Sequence, residues 1–233
     1  DMVVVGMPTV ARWGLMRHLC ERRNLPALWL AGFAAGLGTV TKGVGFLPLL
    51  MVLPWFGWWL YQRCRGLRGD GPHPATLLWL IPAFLLGVSV WLAPLGWALL
   101  HTPSAELQAY AHELLFKQTG TRYANAWHHR QPVWYYLQVI LTLWLPGSLL
   151  LPMLFRPWWR RLRRGDRRQW LLLGWAILVL VFFSASPGKR EVYVLPMLPA
   201  MALAAAPLLP GLLRRLCVRR YLFGYSVVLM LAT

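Results

Sequence analysis

The sequence predicts an all-α, polytopic transmembrane helical bundle with about eight apolar segments. Three observations carry that prediction. Apolar runs of near-membrane length follow one another along the whole chain. Arginine clusters occupy alternate connections between them. The composition is 58% hydrophobic, with a mean hydropathy of +0.49, above the ~45–50% of soluble domains. The 15 tryptophans in 233 residues add to this, because Trp favours membrane interfaces.

The runs are residues 2–16, 27–40, 44–61, 75–100, 133–154, 169–183, 192–213 and 221–233. A spanning helix needs ~20 apolar residues, so several are short. Those ending at Val40 and Phe183 must reach neighbouring polar groups or stop inside a protein-lined cavity. Pro48, Pro54, Pro82, Pro94, Pro146 and Pro196 fall inside runs. Membrane helices tolerate such prolines because neighbours satisfy the freed backbone groups.

The formal charge of +17 would suggest nucleic acid in a soluble protein. That class is excluded here, because the arginines sit in short clusters between apolar runs. One set of connections holds Arg17, Arg22 and Arg23, then Arg63, Arg65 and Arg68, then Arg156 to Arg168, then Arg214 to Arg220. The alternate set holds all three lysines, Lys42, Lys117 and Lys189, and far fewer cations. The positive-inside rule puts the arginine-rich set in the cytoplasm. Asp1, Lys42, the loop 101–132 and Lys189 then share the extracytoplasmic face. Cys20, Cys64 and Cys217 lie in or beside arginine clusters without metal-like spacing, so they read as reduced, incidental thiols. The chain starts at Asp1 and stops inside an apolar run, and is expected to be an internal piece of a larger protein.

Four constellations carry candidate chemistry. In "GTVTKGVGFLPLL" (residues 38–50), Lys42 stands between two apolar runs. It either snorkels in a hairpin or seats a phosphate together with the helix start that follows. In "YANAWHHRQPVWYYL" (123–137), His128 and His129 precede Pro132 and an aromatic helix start. Adjacent histidines point apart, so one of them with a distant carboxylate could hold a metal. Trp134, Tyr135 and Tyr136 read mainly as interface anchors. In "FFSASPGKREVYVLPMLPA" (182–200), Ser184, Ser186, Pro187 and Gly188 form a tight turn before Lys189, Arg190 and Glu191. Charges at the edge of apolar segments are functional candidates, and an anion site is favoured over a surface pairing of these charges. Asp1 reads first as a helix cap.

Together these stretches resemble bacterial glycosyltransferase family 39, of the aminoarabinose-transferase and protein O-mannosyltransferase type. The resemblance rests on "TKGVGFLPLL", "HHRQPVWYYL" and "FFSASPGKREVYVLPMLPAMALA", in that order and over most of the chain. It implies the GT-C membrane fold and an inverting hexosyl- or pentosyltransferase. The donor would be a polyprenyl-phosphate sugar, and the acceptor a lipid, glycan or protein. The active site would lie on the periplasmic face of a bacterial inner membrane, with membrane lipids as further partners and no nucleic acid. Lys42, Lys189 and Tyr193 would bind the donor phosphate. His129, with His128 as the alternative, would bind a divalent metal (Zn, Mg or Mn), and Asp1 would match an acidic residue opening a short helix. The catalytic carboxylate is expected upstream of residue 1, so this stretch alone would be inactive. Residues 1–233 would form part of one transmembrane domain, with 101–132 as an extracytoplasmic loop. A transporter or flippase of lipid-linked intermediates is the rival; it should show internal repeats and mid-helix charges.

Overall fold

The computed structural model describes residues 2–21, 23–66, 71–101, 104–112, 131–186 and 188–232. Their regular structure is helical throughout, with no strand among the described residues. The helices are α1 (Met2–Cys20), α2 (Leu25–Lys42), α3 (Val52–Cys64), α4 (Leu80–His101), α5 (Ala105–His112), α6 (Tyr135–Leu143), α7 (Leu151–Arg163), α8 (Arg167–Ala185), α9 (Met197–Ala205), α10 (Leu209–Leu213) and α11 (Leu216–Ala232). Short 3₁₀ turns lead into α3, α4, α7 and α9.

Local signals set several boundaries. The Asn24 side chain accepts from the Ala27 amide at 3.0 Å and starts α2. Gly43, with φ +72°, ends it in the left-handed region, its amide bonded to the Thr39 carbonyl. Asp166 caps α8 through the amides of Arg168 and Gln169, just after Gly165 turns the chain at φ +75°.

Small residues decide how α1, α2 and α4 meet. A side chain on Gly14 would overlap the Ala27 carbonyl of α2. On the far side of α2, Gly32 and Gly36 lie against Ala83, Phe84 and Gly87 of α4. Two small residues four apart on each helix let the main chains touch. Helix α8 is the centre of the remaining core: Leu171, Leu172, Trp175, Ala176, Val179 and Phe183 are all buried. It is apolar on nearly every face: one side packs in the core, and the other leaves Ile177 and Val181 exposed. In contrast, α4 leaves Ile81, Leu85, Leu86, Val90 and Trp91 exposed, a surface suited to lipid.

Two buried polar groups stitch the bundle. His18 is fully buried, with Nδ1 2.9 Å from the Asn24 carbonyl and Nε2 3.1 Å from Thr76 Oγ1. Arg12 is buried in α1, lies 4.9 Å over the Trp175 ring and donates to the Pro196 carbonyl. Trp175 in turn donates to the Leu47 carbonyl at 2.7 Å. This chain ties α1, α8 and the starts of α3 and α9 together. Arg12→Ala should therefore lower stability by about 2–3 kcal/mol, the sum of a charged hydrogen bond and a buried cation–π contact. Thermal unfolding in detergent measures this, and an unchanged midpoint would reject it.

The structure corrects several sequence expectations. Among the described residues two helices, Pro74–His101 and Arg167–Ala185, are long and apolar enough to cross a membrane, and a third qualifies if a bent pair counts as one span. Apolarity of a run does not guarantee a continuous helix. The run 133–154 breaks into helices inclined at 103° around residues 144–146. The run 192–213 divides into a 3₁₀ turn, α9 and α10, with Pro196, Pro207 and Pro210 at or near the breaks. Ser184 lies inside α8 rather than in the turn, which begins at Ser186. Within the first run, residues 2–16, Arg12 is buried.

Candidate functional site

The site begins where α8 ends. After Ala185 the chain leaves the helix, is extended at Arg190, and enters a 3₁₀ turn at Glu191–Val194. Arg190 and Glu191 are exposed, but Lys189 is only 5% exposed. Its Nζ donates to the Gln131 carbonyl at 2.9 Å. No ion pair joins Lys189 to Glu191 among the described residues, so the lysine is not part of a surface charge pair. A buried ammonium needs compensation. Of its three donors, one is bonded and two have no partner among the described residues.

That bond joins two distant stretches. Gln131 opens the segment leading to α6, whose second residue, Tyr136, is fully buried. Tyr136 packs 6.4 Å from Phe183, and Tyr193 stacks on Phe183 at 5.0 Å. The Tyr136 hydroxyl lies against the Arg190 backbone but makes no hydrogen bond of normal geometry among the described residues. Tyr136 is thus a core residue rather than an interface anchor. Trp134, 68% exposed, keeps the anchoring position.

The Thr-Lys-Gly turn arrives at the same end of α8. Gly45 lies so close to Gly38 and Thr39 that any side chain on it would overlap their backbone. This fold-back carries Phe46 onto Phe182, edge to face, with ring centres 5.8 Å apart. Phe46, Phe182, Phe183, Tyr136 and Tyr193 form one aromatic cluster that joins all three stretches. Lys42 is placed by its backbone as the last residue of α2. The expected contribution of the following helix start is reduced. The Leu47 and Leu49 amides are already bonded to the Val44 and Phe46 carbonyls, and Pro48 has no amide hydrogen.

Asp1, His128 and His129 lie outside the described residues. Among the described residues no three His, Cys, Asp or Glu side chains come together as a metal site. Sequence reasoning missed Arg12 and His18 and took Tyr136 for an anchor. A cation alone in an apolar run was the available signal for Arg12. Nothing local distinguishes Tyr136 from the adjacent Tyr135.

No family model matches the chain. It is 35% identical, over 206 residues, to the undecaprenyl phosphate-alpha-4-amino-4-deoxy-L-arabinose arabinosyl transferase of Pseudomonas savastanoi pv. phaseolicola; the match covers 86% of this chain and 35% of the relative. It is 33% identical, over 230 residues, to the enzyme of the same name from Pseudomonas aeruginosa, covering 97% of this chain and 37% of that one. Over most of its own length the chain is similar to these aminoarabinose transferases, and it spans about a third of the length of the curated relatives it matches. The fold agrees with that likeness. A crystal structure of ArnT from Cupriavidus metallidurans bound to undecaprenyl phosphate superposes with a TM-score of 0.69 and 21% identity, over 98% of this chain and 39% of that one. This chain shares the fold of the matched part of that structure, and its own three sequence stretches meet at one end of α8.

Proposed function

We propose that the protein carrying this chain is a multi-pass membrane glycosyltransferase that moves a sugar from a polyprenyl-phosphate donor to an acceptor on the extracytoplasmic face. The names of the relatives favour undecaprenyl phosphate-linked 4-amino-4-deoxy-L-arabinose as donor, and the resemblance favours lipid A as acceptor. The observation that carries the reading is the buried Lys189 bonded to Gln131, just past the end of α8 where one aromatic cluster joins all three stretches.

In the proposed reaction the acceptor hydroxyl oxygen forms a bond to the anomeric carbon as the carbon–oxygen bond to phosphate breaks. The phosphate leaves with the electron pair, and a base takes the hydroxyl proton. No base is assigned within residues 1–233. Fixed cations stabilise the charge that develops on the leaving phosphate. Lys42 and Lys189 supply those cations, and Tyr193 supplies a hydroxyl donor. A divalent cation at His129, or His128, would be completed by a carboxylate outside the described residues, and no step is routed through it. The eight apolar runs and the periplasmic position of the site belong to the same proposal, as do the single domain and the loop 101–132.

The test uses the full-length protein in proteoliposomes with a labelled undecaprenyl-phosphate aminoarabinose donor and lipid A. Label should appear in lipid A. Movement of donor across the bilayer without transfer would instead establish the flippase reading. Lys42→Ala should reduce transfer by on the order of 100-fold, as the loss of one preorganised charge donor does, while the protein stays monodisperse. Transfer at the wild-type rate would remove Lys42 from the phosphate site.

A further inference from the structure

A second site lies at the opposite end of α8 from Lys189. Helix α8 has 19 residues, so the two ends are about 28 Å apart at 1.5 Å per residue. At this end a cavity of about 540 Å³ opens between α3, α7 and the first half of α8, a size that suits a small ligand or one end of a larger one. Its walls include Tyr61, Trp159, Trp170 and Ile177, and Arg65 and Arg163 also line it.

Two polar atoms of those walls are used inside the protein. The Tyr61 hydroxyl donates to the Arg163 carbonyl at 2.9 Å, and the Trp170 indole donates to the Leu162 carbonyl at 2.9 Å. The ring faces that remain are apolar. Among the described residues the two arginines are held by rings rather than by carboxylates: Arg65 lies 4.8 Å over Tyr61, and Arg163 lies 5.1 Å over Trp159. The neighbouring Asp166 is taken by Arg161 at 3.5 Å and by the start of α8. Among the described residues no carboxylate lines the cavity.

We propose that this cavity binds one anionic phospholipid of the cytoplasmic leaflet. Its phosphate sits between Arg65 and Arg163, and an acyl chain lies along Trp170 and Ile177. An apolar slot beside two cations matches a phosphate covalently joined to a hydrocarbon chain. Among the described residues no carboxylate is there to draw a choline or ethanolamine cation, and the Tyr61 and Trp159 rings that could receive one already carry Arg65 and Arg163, so the site favours an anionic headgroup over a zwitterionic one. Both arginines belong to the connections assigned to the cytoplasm, where anionic lipid attracts basic side chains. The proposal rests on that membrane reading and not on the transfer reaction.

The test is native mass spectrometry of the full-length protein released from nanodiscs containing phosphatidylglycerol and phosphatidylcholine. The wild type should retain one phosphatidylglycerol in preference to phosphatidylcholine. The double variant R65Q/R163Q should lose that preference by about tenfold or more, equivalent to at least about 1.4 kcal/mol. Ile177 is 59% exposed, so Ile177→Trp fills the slot without entering the core. It should release the lipid with both arginines intact. Excess inorganic phosphate should not displace the lipid from the wild type. Equal retention of the two lipids by the wild type, an unchanged preference in R65Q/R163Q, lipid kept by Ile177→Trp, or displacement by phosphate alone would each overturn the site. Sugar transfer, measured separately, reports on the other end of α8 and is independent of these outcomes.

Discussion

Gly36→Leu should remove most of the folded protein from the membrane. A side chain at Gly36 would overlap the Phe84 carbonyl, and one at Gly87 would overlap the Phe33 carbonyl. Each glycine therefore faces main chain of the other helix. Gly32 is nearly as tight, since a side-chain carbon added there would fall 2.6 Å from Ala83 Cβ. A clash with a flexible side-chain tip can be relieved by a rotamer change, but a clash with helical backbone requires the two helices to separate. Overpacking of an ordinary core costs about 1–3 kcal/mol. Here the displacement would also lift α2 from α4 along their whole shared face, and α2 carries the Thr-Lys-Gly turn. Gly87→Leu should behave in the same way. Gly224 has nothing within 4 Å of its added carbon, so Gly224→Leu is the matched control. Yield and monodispersity by fluorescence-detected size exclusion measure the effect. A normal profile for Gly36→Leu would show that close α2–α4 approach is unnecessary.

Lys189→Met should reduce sugar transfer by on the order of 100-fold, the loss typical when one preorganised donor to developing charge is removed. Methionine keeps the length and apolar stem of lysine but removes the ammonium. Two effects must be separated. The Gln131 carbonyl loses its bond to a charged donor, which costs about 1.5–3 kcal/mol of stability. The leaving phosphate loses a fixed cation, which affects only the rate of the chemical step. Thermal unfolding reads the first and single-turnover transfer reads the second. Lys189→Arg restores the charge and should recover part of the transfer, a rescue that a purely structural lysine would not display. If Lys189→Met is folded and transfers at the wild-type rate, Lys189 has no part in phosphate binding.

The three stretches were legible in the sequence because each combines a turn former with a charge or ring at fixed local spacing. "TKG" announced the end of α2, and Gly43 does close that helix in the left-handed region. "SPGK" announced a break between apolar segments, and α8 does end at Ala185. The meeting of these stretches was not legible. Lys189 and Gln131 are 58 residues apart, and no local pattern specifies which carbonyl a lysine will find. Tyr136 and Tyr135 are adjacent and chemically identical, yet Tyr136 is buried among Phe183 and its neighbours. The bend of 103° between Tyr135–Leu143 and Gly147–Arg163 was hidden because hydropathy does not record direction.

The sequence by itself determined the helical class and the alternation of arginine-rich with lysine-bearing connections. Both are local properties: backbone groups in an apolar medium must bond within their own segment, and charge is counted where it occurs. The tertiary structure alone decided that Lys189 is buried, that Arg12 serves as an internal tie between α1, α8 and Pro196, and that glycines set the α2–α4 contact. Those outcomes depend on which surfaces meet across long stretches of chain. Burial and close approach are properties of pairs of helices, and a single helix does not carry them.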